Sequence, residues 1–504
     1  MTNPLYDRLF GQHAGRDDVF LRLPDGDSLT YDAFLRMAAR LAHVLADCGL
    51  TQGDRMAVQA PKTPEALALY AAAVQAGVIF LPLNTAYRPA EVEYFVSDSG
   101  ARLLLCAPGD AAALDAVAEA SGAQLLTLGA AGEGTLTERA SLMPPEFDTV
   151  TRAESDLAAF LYTSGTTGRS KGAMLTQANL LSNAETLVDL WQFTRTDVLL
   201  HALPIFHTHG LFVASNVVLL IGGEMIFLPK FEQDAMIAQL PQATAMMGVP
   251  TFYTRLMDDP RFDRELVSQM RLFISGSAPL LAATHADFQA RTGHRILERY
   301  GMTETNMTTS NPYDGDRRAG TVGPALPGVE VKVCHPETGE ILPTGEIGMV
   351  EVRGPNVFQG YWNMPEKTAA ELRGDGFFIT GDLGQLSEDG YLTIVGRGKD
   401  LIISGGLNIY PKEVESLLDA QPGVLESAVI GATHPDFGEA VVAVLVAAPG
   451  KTPDLDAIRG ELDASIARFK QPKHYVLRDA LPRNTMGKVQ KAQLRRELEA
   501  VFTT

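Results

Sequence analysis

Residues 163–172 read TSGTTGRSKG and follow the apolar run Leu157 to Tyr162, which is typical of a buried strand. Glycines let backbone N–H groups approach phosphate oxygens, while hydroxyl groups and cations add hydrogen bonds and charge. The stretch is not a Walker A loop, because that loop has four residues between its glycines, whereas two residues separate Gly165 from Gly168. It therefore predicts a phosphate-binding turn of another type. The residues expected to contact phosphate are Thr163, Ser164, Gly165, Thr166, Thr167, Gly168 and Lys171.

Helix and strand patterns alternate on both sides of this turn. The residue pattern predicts a helix at Tyr31 to Cys48, and short apolar runs predict strands at Met56 to Gln59, Arg102 to Cys106 and Gln124 to Leu128. This alternation continues through much of the first 300 residues. It is typical of an α/β fold with largely parallel sheets, so we expect a large N-terminal domain of layered α/β subdomains.

The pattern changes towards the C-terminus. Between residues 323 and 395, short β-rich runs alternate with Gly and Pro turns, which predicts a smaller β-rich subdomain. After the sequence GRGKD at 396–400, about 100 residues carry strand and helix patterns of their own. We therefore expect an N-terminal domain over residues 1–398 and a small, mobile α+β C-terminal domain over residues 399–504.

Composition excludes several classes of protein. The chain has 504 residues, of which 46% are hydrophobic and 20% are charged, as in a globular protein with a large core. Its 42 basic and 61 acidic residues give a net charge of −19, which disfavours nucleic acid and anionic membranes as partners. Cys48, Cys106 and Cys334 lie too far apart to suggest a disulfide framework, so a reducing cytoplasm is expected.

The longest uncharged run, Ala66 to Tyr87, has the length of a membrane span. It contains Gln75, Gly77 and Pro82, however, and its composition changes halfway. We therefore expect a buried Ala-rich helix followed by a strand at Val78 to Leu83, and no membrane partner.

Six further stretches carry short motifs along the chain. They read HALPIFHTHG at 201–210, SGSAPL at 275–280, YGMTET at 300–305, TGD at 380–382, GRGKDLIISGGLNIYP at 396–411 and PRNTMGK at 482–488. One such piece alone would be weak evidence, but the ordered set spans nearly the whole chain. Together with the phosphate-binding turn, the set resembles the adenylate-forming family, which includes acyl-CoA synthetases, adenylation domains and luciferases.

The resemblance implies a ligase that uses ATP, Mg²⁺ and CoA. An acid would first react with ATP to give an acyl-adenylate and pyrophosphate. In this step Glu304 would bind Mg²⁺, Thr303 would donate to the α-phosphate, and Lys488 would orient the carboxylate and the α-phosphate. The residues that the resemblance places around the nucleotide are Gly276, Ser277, Ala278, Glu298, Tyr300, Gly301, Asp382 and Arg397.

The second step, in which CoA displaces AMP, needs different neighbours at the reacting carbon. The resemblance implies that Lys399 is a hinge and that rotation replaces the Lys488 loop by Ser404, Gly405 and Gly406, which would admit the pantetheine arm. The alternative is that the two glycines simply form a turn. Because adenylation requires the charge of Lys488, acetylation by a lysine acetyltransferase would switch the first step off.

Two residues narrow the choice of acid. Arg299 precedes Tyr300, and His207 lies in the motif that flanks the acyl pocket of the family. A buried guanidinium is costly unless a carboxylate meets it, so the acid would carry a second carboxylate. The resemblance favours the branch that activates malonate or methylmalonate, with Thr208 and Met307 as pocket walls. The alternative is that Arg299 pairs with a protein acid such as Glu298 or Glu304.

Other functions remain open at this point. A synthetase for a short monocarboxylate such as acetate or propionate would share the reaction, and a catalytically silent nucleotide-binding protein would share the fold. The HxH spacing of His207 and His209, with His201 nearby, also allows a metal site, although no Cys or carboxylate lies close in sequence. The segment 468–496 contains nine basic residues and one acidic residue, so it could face a polyphosphate or form a solvated surface.

Overall fold

The structure is a computed structural model that describes residues 2–163, 170–404, 407–484 and 487–502. The helices are α1 (Pro4–Leu9), α2 (Tyr31–Asp47), α3 (Pro64–Ala76), α4 (Pro89–Ser99), α5 (Ala111–Ser121), α6 (Thr135–Ser141), α7 (Gln177–Leu190), α8 (Asn216–Ile221), α9 (Gln233–Gln239), α10 (Pro250–Met257), α11 (Ala282–Thr292), α12 (Pro365–Glu371), α13 (Pro411–Asp419), α14 (Leu455–Ser465) and α15 (Lys491–Leu498). A π-helix (His209–Ser215) runs directly into α8.

The strands are β1 (Val19–Arg22), β2 (Ser28–Thr30), β3 (Arg55–Gln59), β4 (Ile79–Pro82), β5 (Leu103–Cys106), β6 (Gln124–Thr127), β7 (Leu157–Thr163), β8 (Lys171–Thr176), β9 (Val198–His201), β10 (Glu224–Phe227), β11 (Ala245–Gly248), β12 (Leu272–Ser275), β13 (Leu297–Met302), β14 (Asn306–Ser310), β15 (Glu330–Cys334), β16 (Gly348–Arg353), β17 (Phe378–Leu386), β18 (Leu392–Arg397), β19 (Ile402–Ser404), β20 (Leu407–Ile409), β21 (Val424–His434), β22 (Gly438–Ala447) and β23 (His474–Arg478). The predicted helix and strands of the N-terminal half agree with these bounds to within two residues.

Two large sheets form most of the N-terminal part. One has the order β6-β5-β3-β4-β7-β8 and is parallel except for the last pair. The other has the order β14-β13-β12-β11-β9-β10-β1-β2, is parallel from β13 to β1, and ends in an antiparallel pair on each side. Parallel strands require helical crossovers that cover both faces of a sheet. The predicted α/β class is therefore confirmed.

Helix α3 shows why the long uncharged run belongs to the core. Thr63 caps the helix by accepting from Ala66 N, Pro64 occupies its first turn, and Gly77 ends it in a left-handed conformation. Every residue from Ala66 to Ala76 is buried, as expected of a helix that is apolar on all sides within a large protein. Among the described residues, no helix is both long and apolar enough to cross a membrane.

Two smaller sheets follow. Strands β15 to β18 form an antiparallel meander that ends at Arg397. Strands β20-β19-β22-β21, with β23 parallel to β22, form the last sheet, whose two faces are covered by α13 and α14 and by α15. Lys399 lies exposed in a short 3₁₀ turn (Gly398–Asp400) between these sheets. The boundary at residue 399 and the hinge function of Lys399 stay predictions.

Candidate active site

The largest cluster of predicted site residues lies at one edge of the eight-stranded sheet. Strands β12 and β13 are parallel, with Ser275 opposite Glu298, so the segments beyond them emerge side by side. In open α/β sheets, ligands bind at the carboxyl ends of such strands. This pairing brings Gly276, which follows β12, against Arg299.

Arg299 is a buried cation that has no acid partner within the described part of the chain. It is 4% exposed, and its Nε and Nη2 atoms have no hydrogen-bond partner among the described residues. Desolvation lowers its pKa to about 9. Glu298 instead accepts from Gly320 N at 3.3 Å, and Glu304 accepts from Thr163 and Tyr361. The alternative pairing of Arg299 with either of these acids is therefore wrong.

Gly276 is required by the position of the guanidinium. A Cβ atom at this position would overlap the Cζ, Nη1 and Nε atoms of Arg299. The next residue, Ser277, has a φ of +70°, which is unusual for a residue other than glycine and costs roughly 1 kcal/mol or more. Its Oγ lies 3.2 Å from Nδ1 of His209. The segment after β12 thus packs closely against Arg299 through Gly276 and contacts His209 through Ser277.

Further buried polar atoms near Arg299 lack partners within the described part of the chain. They are Thr208 Oγ1, His209 Nε2 and Ser275 Oγ. Buried polar groups are normally paired, so an unpaired His209 beside the charge of Arg299 indicates a place for a polar ligand. Thr208 and Ser275 are joined to this cluster through their neighbours in sequence, His209 and Gly276.

The histidines beside this pocket are neutral. Burial, with the charges of Lys488 and Arg299, lowers the pKa of His207 to about 3. Burial and Arg299 also lower the pKa of His209 well below its usual range. Neutral imidazoles each carry one donor and one acceptor, so they add hydrogen-bonding capacity without more positive charge.

Met307, the other predicted wall, is buried on β14, where its methyl group packs against Gly301.

The predicted ribose-binding residues form a fixed group on the antiparallel meander. Asp382 and Arg397 are directly opposite on β17 and β18, and Arg397 Nε lies 2.8 Å from Asp382 Oδ1. The Tyr300 hydroxyl donates to the other carboxylate oxygen at 2.5 Å. Burial and the charge of Asp382 raise the pKa of Tyr300 well above its usual range, so the hydroxyl keeps its proton. Asp382 therefore joins the meander to the end of β13.

Among the residues that the structure describes, Glu304 is held by hydroxyl groups. Its Oε1 accepts from Tyr361 at 3.0 Å and from Thr163 at 3.3 Å. The Tyr361 oxygen also lies 2.7 Å from Glu371, so its single proton is shared between the two carboxylates, and Lys171 lies 3.1 Å from both Tyr361 and Glu371. The ammonium of Lys171 is thus engaged by a protein carboxylate, and its contact with phosphate stays a prediction. Sequence motifs gave no signal for Tyr361 and Glu371, since neither lies in one of the quoted stretches.

The C-terminal segment brings Lys488 to this edge of the large sheet. Lys488 remains in contact with solvent but lies in a cleft near Arg397, Asp382, Glu304 and Arg299. Desolvation and Arg397 lower its pKa, while the two carboxylates oppose this shift. The neighbouring Gly487 lies against Thr251 of α10, so the Lys488 loop contacts the N-terminal part directly.

Not all predicted residues converge. Thr303 lies in the turn between β13 and β14, and Ala278 follows Ser277 at the sheet edge. Ser404 is buried in the last sheet, where it is opposite Leu407 and Gly438. The predictions for Ser164 to Gly168 and for Gly405 and Gly406 lie outside the described residues.

The two remaining alternatives can be compared with the structure. His201 is buried and bonded to Lys62 and Gly210, and the described residues contain no group of three or more His, Cys, Asp or Glu side chains that could hold a metal. In the basic segment 468–496, protein carboxylates engage the cations Lys470, Arg478, Arg483, Lys491 and Arg495. Most of that charge is therefore used within the protein.

Comparison with known proteins places these features in a family. A model of AMP-binding enzymes matches residues 11–362, and a model of the AMP-binding enzyme C-terminal domain matches residues 413–488. The solved structure of ATP-bound MatB from Rhodopseudomonas palustris is 56% identical, covers 100% of both chains and has a TM-score of 0.98. A malonate–CoA ligase of Arabidopsis thaliana is 34% identical over 90% of this chain and 79% of its own. A feruloyl-CoA synthase of an Amycolatopsis species is 37% identical over 94% of both chains.

Glu298 provides a test of the site's electrostatics. Burial raises its pKa to about 8, so ionisation is easier in the unfolded chain, and stability falls as pH rises from the unfolded pKa near 4.5 to about 8. We expect Glu298→Gln to match the wild type at pH 4 and to exceed its unfolding free energy by about 2 kcal/mol or more at pH 8. Urea denaturation at the two pH values measures this difference. The exposed substitution Glu388→Gln serves as a control, and a pH-independent difference would contradict the assignment.

Proposed function

The chain belongs to the AMP-binding enzyme family, and we propose that it is an AMP-forming acid–CoA ligase whose acid is malonate or methylmalonate. The reaction consumes ATP, joins the acid to AMP as an acyl-adenylate with release of pyrophosphate, and then transfers the acyl group to CoA with release of AMP. Relatives of similar identity are named for malonate and for an aromatic acid, so family membership alone does not give the acid. The observation that carries the proposal is the buried Arg299, which has no acid partner among the described residues.

A second carboxylate on the substrate would supply a counter-charge and hydrogen-bond acceptors for Arg299 in this pocket. A buried guanidinium without a counter-charge is destabilising, and a carboxylate restores both charge balance and two parallel hydrogen bonds. A neutral His209 with a proton on Nε2 would supply another donor, if the Ser277 hydroxyl donates to Nδ1. A monocarboxylate such as acetate would leave these groups unpaired and is therefore not favoured.

The substrate must also be short. Arg299 directly precedes Tyr300, whose hydroxyl is bonded to the proposed ribose-binding Asp382. The residues proposed to bind the distal carboxylate and to contact the nucleotide are therefore neighbours on one strand. This arrangement supports a three-carbon diacid over a longer one, and Thr208 and Met307 would decide whether a 2-methyl group fits.

The residues around the nucleotide would have different functions in the first step. We assign Lys488 to the carboxylate and the α-phosphate, because its ammonium lies near both Arg299 and Glu304 in the cleft. Thr303 and the turn from Thr163 to Gly168 would donate to phosphate oxygens, and Asp382 with Arg397 would hold the ribose. Tyr300, with Gly276 to Ala278, Glu298 and Gly301, would surround the base.

Glu304 fits a magnesium ion that bridges the enzyme and ATP. Mg²⁺ is usually bound by one or two carboxylates together with substrate phosphates and water. Glu304 is a single buried carboxylate whose two hydroxyl partners leave lone pairs free. When bound, the ion supplies positive charge that offsets the negative charge developing on the phosphates. Tyr361 would orient Glu304 through its contact with Oε1.

The second step requires the C-terminal domain to move. Lys488 occupies the cleft in this structure, so the arrangement suits adenylation. We propose that rotation at Lys399 withdraws Lys488 and brings Ser404, Gly405 and Gly406 to the acyl-adenylate for entry of CoA.

We also propose a cytoplasmic location, which the three separated, buried cysteines support.

The acid can be tested with Arg299→Ala. We expect kcat/KM for malonate to fall by about 10²–10⁴, because the distal carboxylate loses its partner, while the weak activity with acetate changes little. Pyrophosphate release with a panel of short acids measures both values. Arg295→Ala is the matched control, because Arg295 lies just before the same strand and pairs with Asp316 at the surface.

Gly276→Ala provides an independent version of this test. The new methyl group would displace the guanidinium without removing its charge, so we expect the same selective loss of malonate activity. An equal loss of activity with every acid in both variants would contradict a carboxylate-binding function for Arg299.

Lys488 can be tested by placing acetyl-lysine at this position during translation. Acetylation removes the charge, so we expect pyrophosphate release to fall by about 10² or more, with little change in thioester formation from supplied acyl-adenylate. Acetyl-lysine at the exposed Lys230 is the control. If the acetylated enzyme kept its full adenylation rate, the function given to Lys488 would be wrong. We further propose that a lysine acetyltransferase uses this site for regulation.

The hinge can be tested with Lys399→Pro. Proline fixes φ near −65°, which the 3₁₀ turn accepts but a large rotation does not. We expect the variant to release pyrophosphate at close to the wild-type rate and to form CoA thioester at least about 10-fold more slowly. Single-turnover assays of the two steps measure this split, and equal effects on both steps would contradict the hinge assignment.

A further inference from the structure

We propose that Lys62 is a positioning residue for the acid pocket and acts on it through His201. Lys62 lies in the loop between β3 and α3, far in sequence from the pocket residues, and it belongs to none of the motifs that indicated the function. The kinetic part of this proposal rests on the proposed function, whereas its structural part does not.

The ammonium of Lys62 has unusual partners. Its Nζ lies 2.8 Å from both Nδ1 and the carbonyl oxygen of His201, and 4.3 Å from the ring centroid of Phe227. Lys62 forms no ion pair with a carboxylate anywhere in the described ranges. A charged lysine can only donate hydrogen bonds, whereas a neutral amine has two N–H groups and one acceptor lone pair. The carbonyl oxygen of Gly210 can only accept, so Nε2 of His201 holds the single proton of a neutral ring and Nδ1 has to accept. Both contacts to His201 are therefore donated by Lys62.

This donation stabilises one tautomer of His201. Nδ1 accepts from Lys62, and the single proton of a neutral ring is on Nε2, which lies 2.9 Å from the carbonyl oxygen of Gly210. Burial and the neighbouring Lys62 lower the pKa of His201 well below its usual range, which keeps the ring neutral. Ser215 donates to the same carbonyl at 2.9 Å.

The carbonyl of Gly210 lies at the start of the pocket wall. Gly210 is the second residue of the π-helix, and a Cβ atom there would clash with the carbonyl oxygen of Pro204. The wider turn of a π-helix is often found at functional sites. His209 and Thr208, which carry unpaired polar atoms of the pocket, directly precede Gly210. A continuous path of contacts thus leads from Lys62 through His201 to these two residues.

The test combines kinetics with a double-mutant cycle. Lys62→Met keeps the length of the side chain and removes both donors, so we expect KM for malonate to rise about 10-fold while kcat changes less than about threefold. His201→Phe should have a similar effect, and the double variant should be no worse than the stronger single variant. Lys62→Arg, which keeps the donors, should retain most of the affinity, and Lys230→Met is the control for loss of one surface lysine.

A spectroscopic measurement detects the contact without any substrate. In long-range ¹⁵N spectra of histidine-labelled protein, His201 should show an unprotonated Nδ1 and a protonated Nε2, with the Nδ1 shift moving in Lys62→Met. The signal is assigned with His201→Phe. If Lys62→Met does not fold, Lys62→Leu, which also has no donor, is used for both measurements.

Three outcomes would overturn the proposal. They are an unchanged His201 spectrum in the Lys62 variant, an unchanged KM for malonate, and additive effects of the two substitutions. If the wild type does not use malonate at all, the proposed substrate is wrong. The spectrum then still decides the Lys62–His201 contact, and the kinetic cycle is measured with the acid that the enzyme does use.

Discussion

A guanidinium group that is buried without a carboxylate partner, as far as the structure describes the chain, imposes the main constraint on this site. Transfer of an unpaired charge from water into a protein interior costs several kcal/mol, and the surrounding structure has to tolerate that cost until a ligand arrives. The neighbours of Arg299 are consistent with this need, because the adjacent histidines remain neutral and position 276 has no side chain. The acids of the same region are kept apart from Arg299 by their own partners, which are Gly320 for Glu298 and Tyr361 for Glu304.

The rest of the cleft is organised by hydrogen bonds that join separate parts of the fold. Asp382 connects the antiparallel meander to Tyr300 at the end of β13, and Tyr361 connects Glu304 to Lys171 and Glu371. These networks place acceptors at defined positions around the proposed nucleotide site before any ligand binds. Preorganised polar groups of this kind lose little free energy to reorganisation during a reaction.

Much of the fold and part of the site could be predicted from sequence. The alternation of helix and strand patterns predicted the parallel sheets, because local periodicity directly reflects which faces are buried. The motifs predicted that Tyr300, Asp382 and Arg397 lie close together, and the three residues are in contact. Tyr361, Glu371 and Lys62 could not be found in this way, since their contacts with Glu304, Lys171 and His201 join residues 57 to 200 positions apart. For the same reason, sequence motifs gave no signal that the ammonium of Lys171 meets Glu371, while its contact with phosphate stays a prediction.

The close packing of Gly276 on Arg299 also bears on how this pocket could change during evolution. A larger side chain at position 276 would displace the guanidinium of Arg299, and loss of the arginine alone would leave an unfilled polar cavity. A lineage that adopts a bulkier, uncharged acid therefore has to alter both positions, and each single step passes through a poorly working intermediate. Libraries that vary the two codons jointly should reach new acids more readily than libraries that vary them one at a time.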